Sequence, residues 1–282
     1  MGGELPIRID AGSAVVTEIL LGGQTFLWEQ IGEASWQGVH ANHAYKITLR
    51  GGSLHWSSLK GRDPVAEKEI MRFFAVQTNF QKLAEDLPFR TDQVLRNAIQ
   101  AFPGLRVLRQ EIEPTLLSFL LSPLKRIDQI RAGLMKICQN WGTELTEGLN
   151  APPSWQTLST VSEDQLRTCG IGYRAKSVHK TSQFLSENPN YLVTLEKKST
   201  EEARSLLLAL PGVGRKIADC VLLFGLGRLE AFPIDTWIGR RLREDYDLNG
   251  YTDDQLQSFA KAHFGPAAGY AQQFLFASAK KG

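Results

Sequence analysis

Leu208-Ala209-Leu210-Pro211-Gly212-Val213-Gly214-Arg215-Lys216-Ile217-Ala218-Asp219-Cys220 is the stretch on which the reading of this 282-residue chain turns. An apolar helical segment runs to Leu210, Pro211-Gly212 stops it, and a new helix is expected from about Val213 to Phe224, closed by Gly225 and Gly227. Two glycines two residues apart, Gly212 and Gly214, open backbone conformations that side chains forbid. They also leave amide N–H groups exposed where the second helix begins, which suits an anion such as a phosphate. A bare P-G-x-G is equally compatible with a plain tight turn between helices. A Walker A loop is excluded, because Gly214 is followed by Arg215 rather than Lys-Ser/Thr. A dinucleotide fingerprint is excluded because the third glycine and the preceding strand are missing.

Downstream residues add chemistry to the turn. Lys216 and Cys220 are four apart and share one face of the new helix. Phe232-Pro233-Ile234-Asp235-Thr236-Trp237 follows, with Asp235 nineteen residues after the lysine. Asp235 stands where an N-cap belongs, at the mouth of a helix expected over Asp235–Asp245, and a capping carboxylate held by backbone N–H groups stays ionised. Taken singly, Asp235 is an ordinary cap and Lys216 a solvated lysine; the hairpin, amine and carboxylate together make a candidate catalytic set.

Outward from this centre the chain divides in character. Toward the N-terminus, Leu5, Ile7 and Ile9 alternate with Pro6, Arg8 and Asp10. Ser35–Ala41 and Tyr45–Arg50 also read as strands, and Gly51-Gly52 as a hairpin turn into Ser53–Ser57. Pro64 opens a helix carrying Ile70, Phe73, Phe74 and Val76, and Pro114 is expected to begin an apolar helix. Capping-box spacings at Ser162/Gln165 and Ser199/Glu202 start two more, with Gly170 ending the first. Further helices fit Asp253–His263 and Ala267–Lys280. The fold class is therefore α+β: an antiparallel sheet domain with flanking helices over residues 1–100, then a helical domain over 101–282.

Composition narrows the function classes. Of the residues, 43% are hydrophobic and 22% charged, as expected of a globular chain, and no apolar run approaches the ~18 residues that span a bilayer. Met1–Asp10 carries Glu4, Arg8 and Asp10, which argues against a signal peptide and secretion. Cys138, Cys169 and Cys220 are too few for a four-cysteine iron–sulfur cluster and too irregular for a disulfide framework. A reducing compartment follows: cytoplasm and nucleoid in a bacterium, nucleus in a eukaryote. A net charge of +2 requires any nucleic-acid contact to come from a local surface.

From Leu210 to Asp235 the chain resembles the signature of the helix-hairpin-helix DNA glycosylases, and Lys216 matches the Schiff-base lysine of their bifunctional members. Four other segments, in order, resemble the 8-oxoguanine DNA glycosylase branch: Gly22–Trp28, Gly104–Gln110 with Ser118-Phe119, Gly170–Ala175 and Gly265–Gln272. The resemblance implies a TBP-like twisted sheet ahead of the helical domain, and a monomer acting on double-stranded DNA that contains oxidised guanine. It implies base flipping, attack by Lys216 on C1′, charge stabilisation by Asp235 and strand nicking by β-elimination, without metal or organic cofactor. It implies a base pocket of Gly23, Cys220, Gln272 and Phe276, in which the Gly23 carbonyl accepts the N7 hydrogen that guanine lacks. It places Leu124, Tyr173, Arg174, Gly212, Gly214, Arg215 and Trp237 at the DNA.

Departures from the family pattern matter too. Leu124 stands where a duplex-filling asparagine is expected, Gln129 where a second cytosine-reading arginine is expected, and Trp237 where histidine is frequent. A weaker preference for cytosine opposite the lesion is the expectation. Two other readings stay open: a related glycosylase for another oxidised or modified purine, and a non-catalytic DNA-binding protein using the hairpin alone. Lys216 speaks against enzymes that use aspartate and water, and the paired Lys216 and Asp235 speak against a mere grip on phosphate.

Overall fold

The computed structural model describes residues 2–9, 12–61 and 63–279. Strand β1 (Gly2–Arg8) is followed by helix α1 (Ser13–Leu21), then by β2 (Trp28–Gly32), β3 (Ser35–His40), β4 (His43–Arg50) and β5 (Ser53–Ser58). They form one antiparallel sheet in the order β1-β5-β4-β3-β2. The β4–β5 hairpin pairs Tyr45 with Ser58 and Arg50 with Ser53 across the Gly51-Gly52 turn. Alternation along β5 sends Leu54 and Trp56 inward. Helix α2 (Pro64–Phe73), which Asp63 caps through the Val65 amide, packs on the sheet at β3. Trp28 stacks on Phe73 at 5.3 Å, and the Tyr45 hydroxyl donates to the Ala66 carbonyl.

Helices fill the rest: α3 (Phe80–Asp86), α4 (Gln93–Ala101), α5 (Ile112–Leu120) and α6 (Ile127–Trp141). A small hairpin of β6 (Thr143–Thr146) and β7 (Leu149–Ala151) interrupts them. Then come α7 (Trp155–Ser159), α8 (Glu163–Leu166), α9 (Arg174–Glu187), α10 (Tyr191–Thr194), α11 (Thr200–Leu208), α12 (Arg215–Cys220), α13 (Thr236–Asp245), α14 (Asp253–Phe264) and α15 (Ala268–Ala279). Helix α5 buries Thr115 through Leu120 without a solvent face, so it is the central rod of this part. It packs on α12 and on the wider π-type turn at Val221–Gly225 that continues α12. A single large apolar cluster runs from Leu5 to Ala277. Among the described residues no helix is long and apolar enough to cross a membrane.

Several elements differ from expectation. Helix α1 lies in a segment expected to be strand-rich; its Val15, Val16, Ile19 and Leu20 form one buried helical face, although Val-Val-Thr favours strand locally and Gly12 gives no side-chain cap. Helix α2 ends at Phe73, because Ala75 turns the chain at φ +47 before Val76. Helix α5 begins at Ile112, two residues before Pro114, which is tolerated in a first turn where no intrahelical N–H bond is lost. Helix α12 starts at Arg215 because Gly214 is the N-cap. The β6–β7 hairpin and β2 were not foreseen. Asp10 and Lys280, included in the expected first strand and last helix, lie outside the described residues.

Candidate active site

The turn between α11 and α12 is built from backbone geometry. Gly212 has φ +77, and a Cβ there would collide with the Ser177 side chain on α9, so both conformation and space exclude other residues. Thr181 Oγ1 donates to the Pro211 carbonyl at 2.8 Å and ties the turn to the same helix. Gly214 is different. Its φ is −92, it is exposed, and a Cβ would meet nothing within 4 Å. Neither conformation nor internal packing demands a glycine there, so the turn is open to solvent at this position.

Helix α12 is anchored from beneath by Asp219, fully buried, whose carboxylate accepts from Arg204 Nε at 2.8 Å and Gln257 Nε2 at 3.2 Å. Burial pushes this carboxyl's pKa up, while the Arg204 guanidinium pulls it down. One face of α12 carries Lys216, half-buried. Its Nζ donates to Ser122 Oγ at 2.9 Å and lies 4.9 Å from the Phe119 ring centroid. Phe119 stacks on Phe224 at 5.5 Å, so the amine rests on a rigid apolar floor. Asp235 is the N-cap of α13, as expected: Oδ1 accepts from the Ile238 amide at 2.9 Å. Lys216 and Asp235 line one open cleft of about 1800 Å³. Cys220, one turn beyond Lys216, is buried. Burial pushes its thiol up to about 12, with Asp219 and Asp235 adding to the rise and Lys216 opposing it, so the sulfur is a neutral packing group.

The base-pocket candidates separate into two groups. Gly23 and Phe276 line the same cleft as Lys216. Gly23 has φ +113, and a Cβ would stand 3.1 Å from Ile127 Cδ1 and 3.5 Å from Phe276 Cε1. The next residue, Gln24, fixes this bend: its amide donates to the Arg106 carbonyl and accepts from the Leu108 amide, and Gln110 donates to the Gln24 carbonyl. Gln272 and Cys220 are buried and do not line the cleft. Gln272 donates to the Pro233 carbonyl at 3.1 Å, two residues before Asp235.

Residues expected at the DNA also differ in setting. Leu124 and Trp237 line the cleft and are 90% and 52% exposed; Tyr173 is 55% exposed, outside the cleft lining. Arg215 lines the cleft in an ion pair with Asp254 at 2.7 Å. Gln129 is exposed and accepts from the Arg126 amide at 3.2 Å, capping α6. Arg174 is buried. Seven Lys and Arg against five Asp and Glu line the cleft, an excess of cations that suits a polyanion. Sequence reading missed Ser122, Ile127 and the part played by Phe119, because contacts across 94 positions leave no spacing signal.

Comparison with known proteins shows what the chain is similar to. Residues 6–116 match the family model for the N-terminal domain of 8-oxoguanine DNA glycosylase. A probable N-glycosylase/DNA lyase of Methanothermobacter thermautotrophicus is 39% identical over 123 residues, a match spanning 44% of this chain and 39% of that protein's length. The N-glycosylase/DNA lyase OGG1 of Arabidopsis thaliana is 29% identical over 277 residues, covering 90% of this chain and 74% of the plant enzyme. The solved structure of MBOgg1 in complex with a low affinity DNA ligand superposes with a TM-score of 0.87 at 29% identity, covering 94% of this chain and 91% of that one.

The chain thus resembles the 8-oxoguanine DNA glycosylases over most of its length, and its residues 6–116 match their N-terminal domain. Its apolar core runs on from the sheet into the helices on either side of the hairpin. Its hairpin lysine, its N-capping aspartate, the Gly22-Gly23 segment and Phe276 all line the one cleft.

Proposed function

We propose that this chain is a bifunctional DNA glycosylase and AP lyase that excises 8-oxoguanine from duplex DNA. The observation that carries the reading is the common cleft: an amine anchored by Ser122, a capping carboxylate, and the Gly23–Phe276 pair all open onto one space wide enough for a flipped purine. A base inside a duplex hides its glycosidic bond, so the nucleotide must be extruded first.

Unprotonated Lys216 attacks C1′ as the bond to the base breaks, and the base leaves with its electron pair and takes up a proton. Asp235, held by the Ile238 amide, stabilises the positive charge that builds on the sugar. Ring opening gives a Schiff base on Nζ, and β-elimination from it breaks the strand 3′ to the lesion. No residue in this sequence of steps calls for a metal or organic cofactor.

Selectivity rests with the base pocket. The Gly23 carbonyl accepts the N7 hydrogen of 8-oxoguanine, and lack of that bond costs guanine roughly 1–3 kcal/mol. Phe276 and Cys220 flank the base, and Gln272 reads its pairing edge after its amide exchanges Pro233 for the ligand. The exposed hairpin around Gly212 and Gly214 holds a backbone phosphate together with Arg215, and Trp237 donates its indole N–H nearby. Leu124 and Tyr173 fill the space the nucleotide leaves. Cytosine opposite the lesion is only weakly preferred.

The protein acts as a monomer, in the cytoplasm and nucleoid of a bacterium or the nucleus of a eukaryote. Residues 1–100 and 101–282 form its sheet and helical domains. Single-turnover excision of 8-oxoguanine from a duplex tests the reading: base release and a nicked strand support it, and binding without release refutes it.

A further inference from the structure

Arg174 opens α9 directly after Tyr173, and resemblance gives it the base left opposite the lesion. Its surroundings point elsewhere. Only 5% of the residue is exposed, and its guanidinium lies over the Tyr173 ring at 4.4 Å. Nη1 donates to the Ile171 carbonyl at 3.2 Å, within its own loop. Nη2 donates to the Pro123 carbonyl, in the loop that follows α5. A second tie runs in the opposite sense: Lys125 Nζ donates to the Gly170 carbonyl at 3.3 Å. Each loop therefore gives a carbonyl to a cation of the other.

These two loops carry Leu124 and Tyr173, both large, apolar and exposed. Leu124 holds φ +54, a left-handed conformation that costs a branched side chain about 1–2 kcal/mol, so its neighbours must hold it there. The Lys125 amide on the Ser122 carbonyl closes the turn around it, and Arg174 grips the residue before it.

We propose that Arg174 is a positioning residue that locks the Leu124 loop to the Tyr173 loop, so that the two side chains enter DNA as one preformed apolar wedge, and that it does not read the opposing base. This rests on the glycosylase reading above. Two separate loops would each lose conformational freedom on insertion, and a wedge ordered beforehand does not. To reach a base edge, Arg174 would have to abandon two charge-assisted hydrogen bonds and its stacking contact. Leu124 has no donor or acceptor with which to tell one opposing base from another.

The test uses the full chain with Arg174→Gln, Arg174→Lys and Lys125→Met, in single-turnover excision from 8-oxoguanine duplexes with each of the four opposing bases. A lock gives a loss of about ten- to a hundredfold in Arg174→Gln, by the same factor within about twofold for every opposing base. Arg174→Lys, which keeps one donor, recovers part of the rate. Hydrogen exchange rises in both 122–125 and 170–173, and Arg174→Gln adds little once Lys125→Met has freed the loops. Loss confined to the cytosine-opposed duplex, or exchange unchanged in 122–125, overturns the proposal. Should Arg174→Gln fail to fold, Lys125→Met alone must show the uniform loss and raised exchange in both loops. Wild-type protein that excises from no duplex refutes the glycosylase reading instead, and the exchange measurement still decides the lock.

Discussion

Lys216 Nζ donates to Ser122 Oγ at 2.9 Å, and that hydroxyl in turn donates to the Phe119 carbonyl at 2.8 Å. Because the serine hydrogen is already committed, the serine can only accept from the amine. The lysine is thus held at the cleft wall by a residue 94 positions earlier in the chain. Removing the acceptor in Ser122→Ala leaves the amine free to wander over the Phe119 ring. The expected result is a fall in the single-turnover excision rate of about tenfold, with little change in duplex affinity. Ser122→Thr, which keeps the hydroxyl, is expected to retain most of the rate. Equal rates for Ser122→Ala and wild type would remove the serine from the account of the site.

Gly212 and Gly214 make a matched pair of substitutions. Gly212→Ala puts a methyl group at φ +77 into Ser177, so the melting temperature is expected to fall together with DNA binding. Gly214→Ala meets no protein atom within 4 Å, so stability is expected to stay within about 0.5–1 kcal/mol of wild type. Its added methyl group would nevertheless stand between the turn and an approaching phosphate, and duplex binding is expected to weaken about tenfold. Thermal melts alongside fluorescence anisotropy on a labelled duplex separate the two effects.

Leu124 and Gln129 should relax discrimination against the opposing base. Leu124 presents no polar atom, and Gln129 is spent on the Arg126 amide at the start of α6. Excision opposite cytosine, thymine, guanine and adenine is therefore expected to differ by less than about tenfold. Gln129→Arg restores a base-edge donor and is expected to raise the rate opposite cytosine selectively, since a good bidentate contact discriminates by about 1–3 kcal/mol. A strong cytosine preference in the wild-type protein contradicts this.

His40 makes stability sensitive to acid. The ring is buried against Phe73 at 4.5 Å, and burial, followed by the Arg72 and His43 charges, pushes its pKa down from 6.5 to about 3. Burial outweighs the Glu69 carboxylate 3.9 Å away. Below about pH 6.5 the unfolded chain takes up a proton that the folded chain refuses until about pH 3, so stability falls as pH drops through that window. The contribution reaches about 1.4 kcal/mol per pH unit and vanishes above pH 7. Urea unfolding at pH 7, 6, 5 and 4 is expected to show a shallower acid limb in His40→Gln than in wild type. Parallel limbs would show that His40 does not carry the effect.

The legible part of this protein was its local chemistry. Pro211-Gly212, the N-cap at Asp235 and the capping boxes at Ser162 and Ser199 are written within a few residues, and the structure places each where local rules put it. Helix α1 was not legible, because Val15, Val16 and Thr17 favour a strand until tertiary packing turns their apolar face inward. Nor was the partner of Lys216 legible, since Ser122 reaches it only after α5 and α12 have packed. The burial of Arg174 is a similar case: its position after Tyr173 suggests an exposed arm, and only the Pro123 carbonyl arriving from another loop makes it an internal tie.

Reduction by borohydride during reaction with an 8-oxoguanine duplex tests most directly whether Lys216 is the nucleophile. The reduced imine is expected to leave the protein covalently attached to the damaged strand, and Lys216→Gln is expected to form no such adduct while still binding the duplex. An adduct of undiminished yield in Lys216→Gln, or excision by wild type with no trapped species at all, would contradict it.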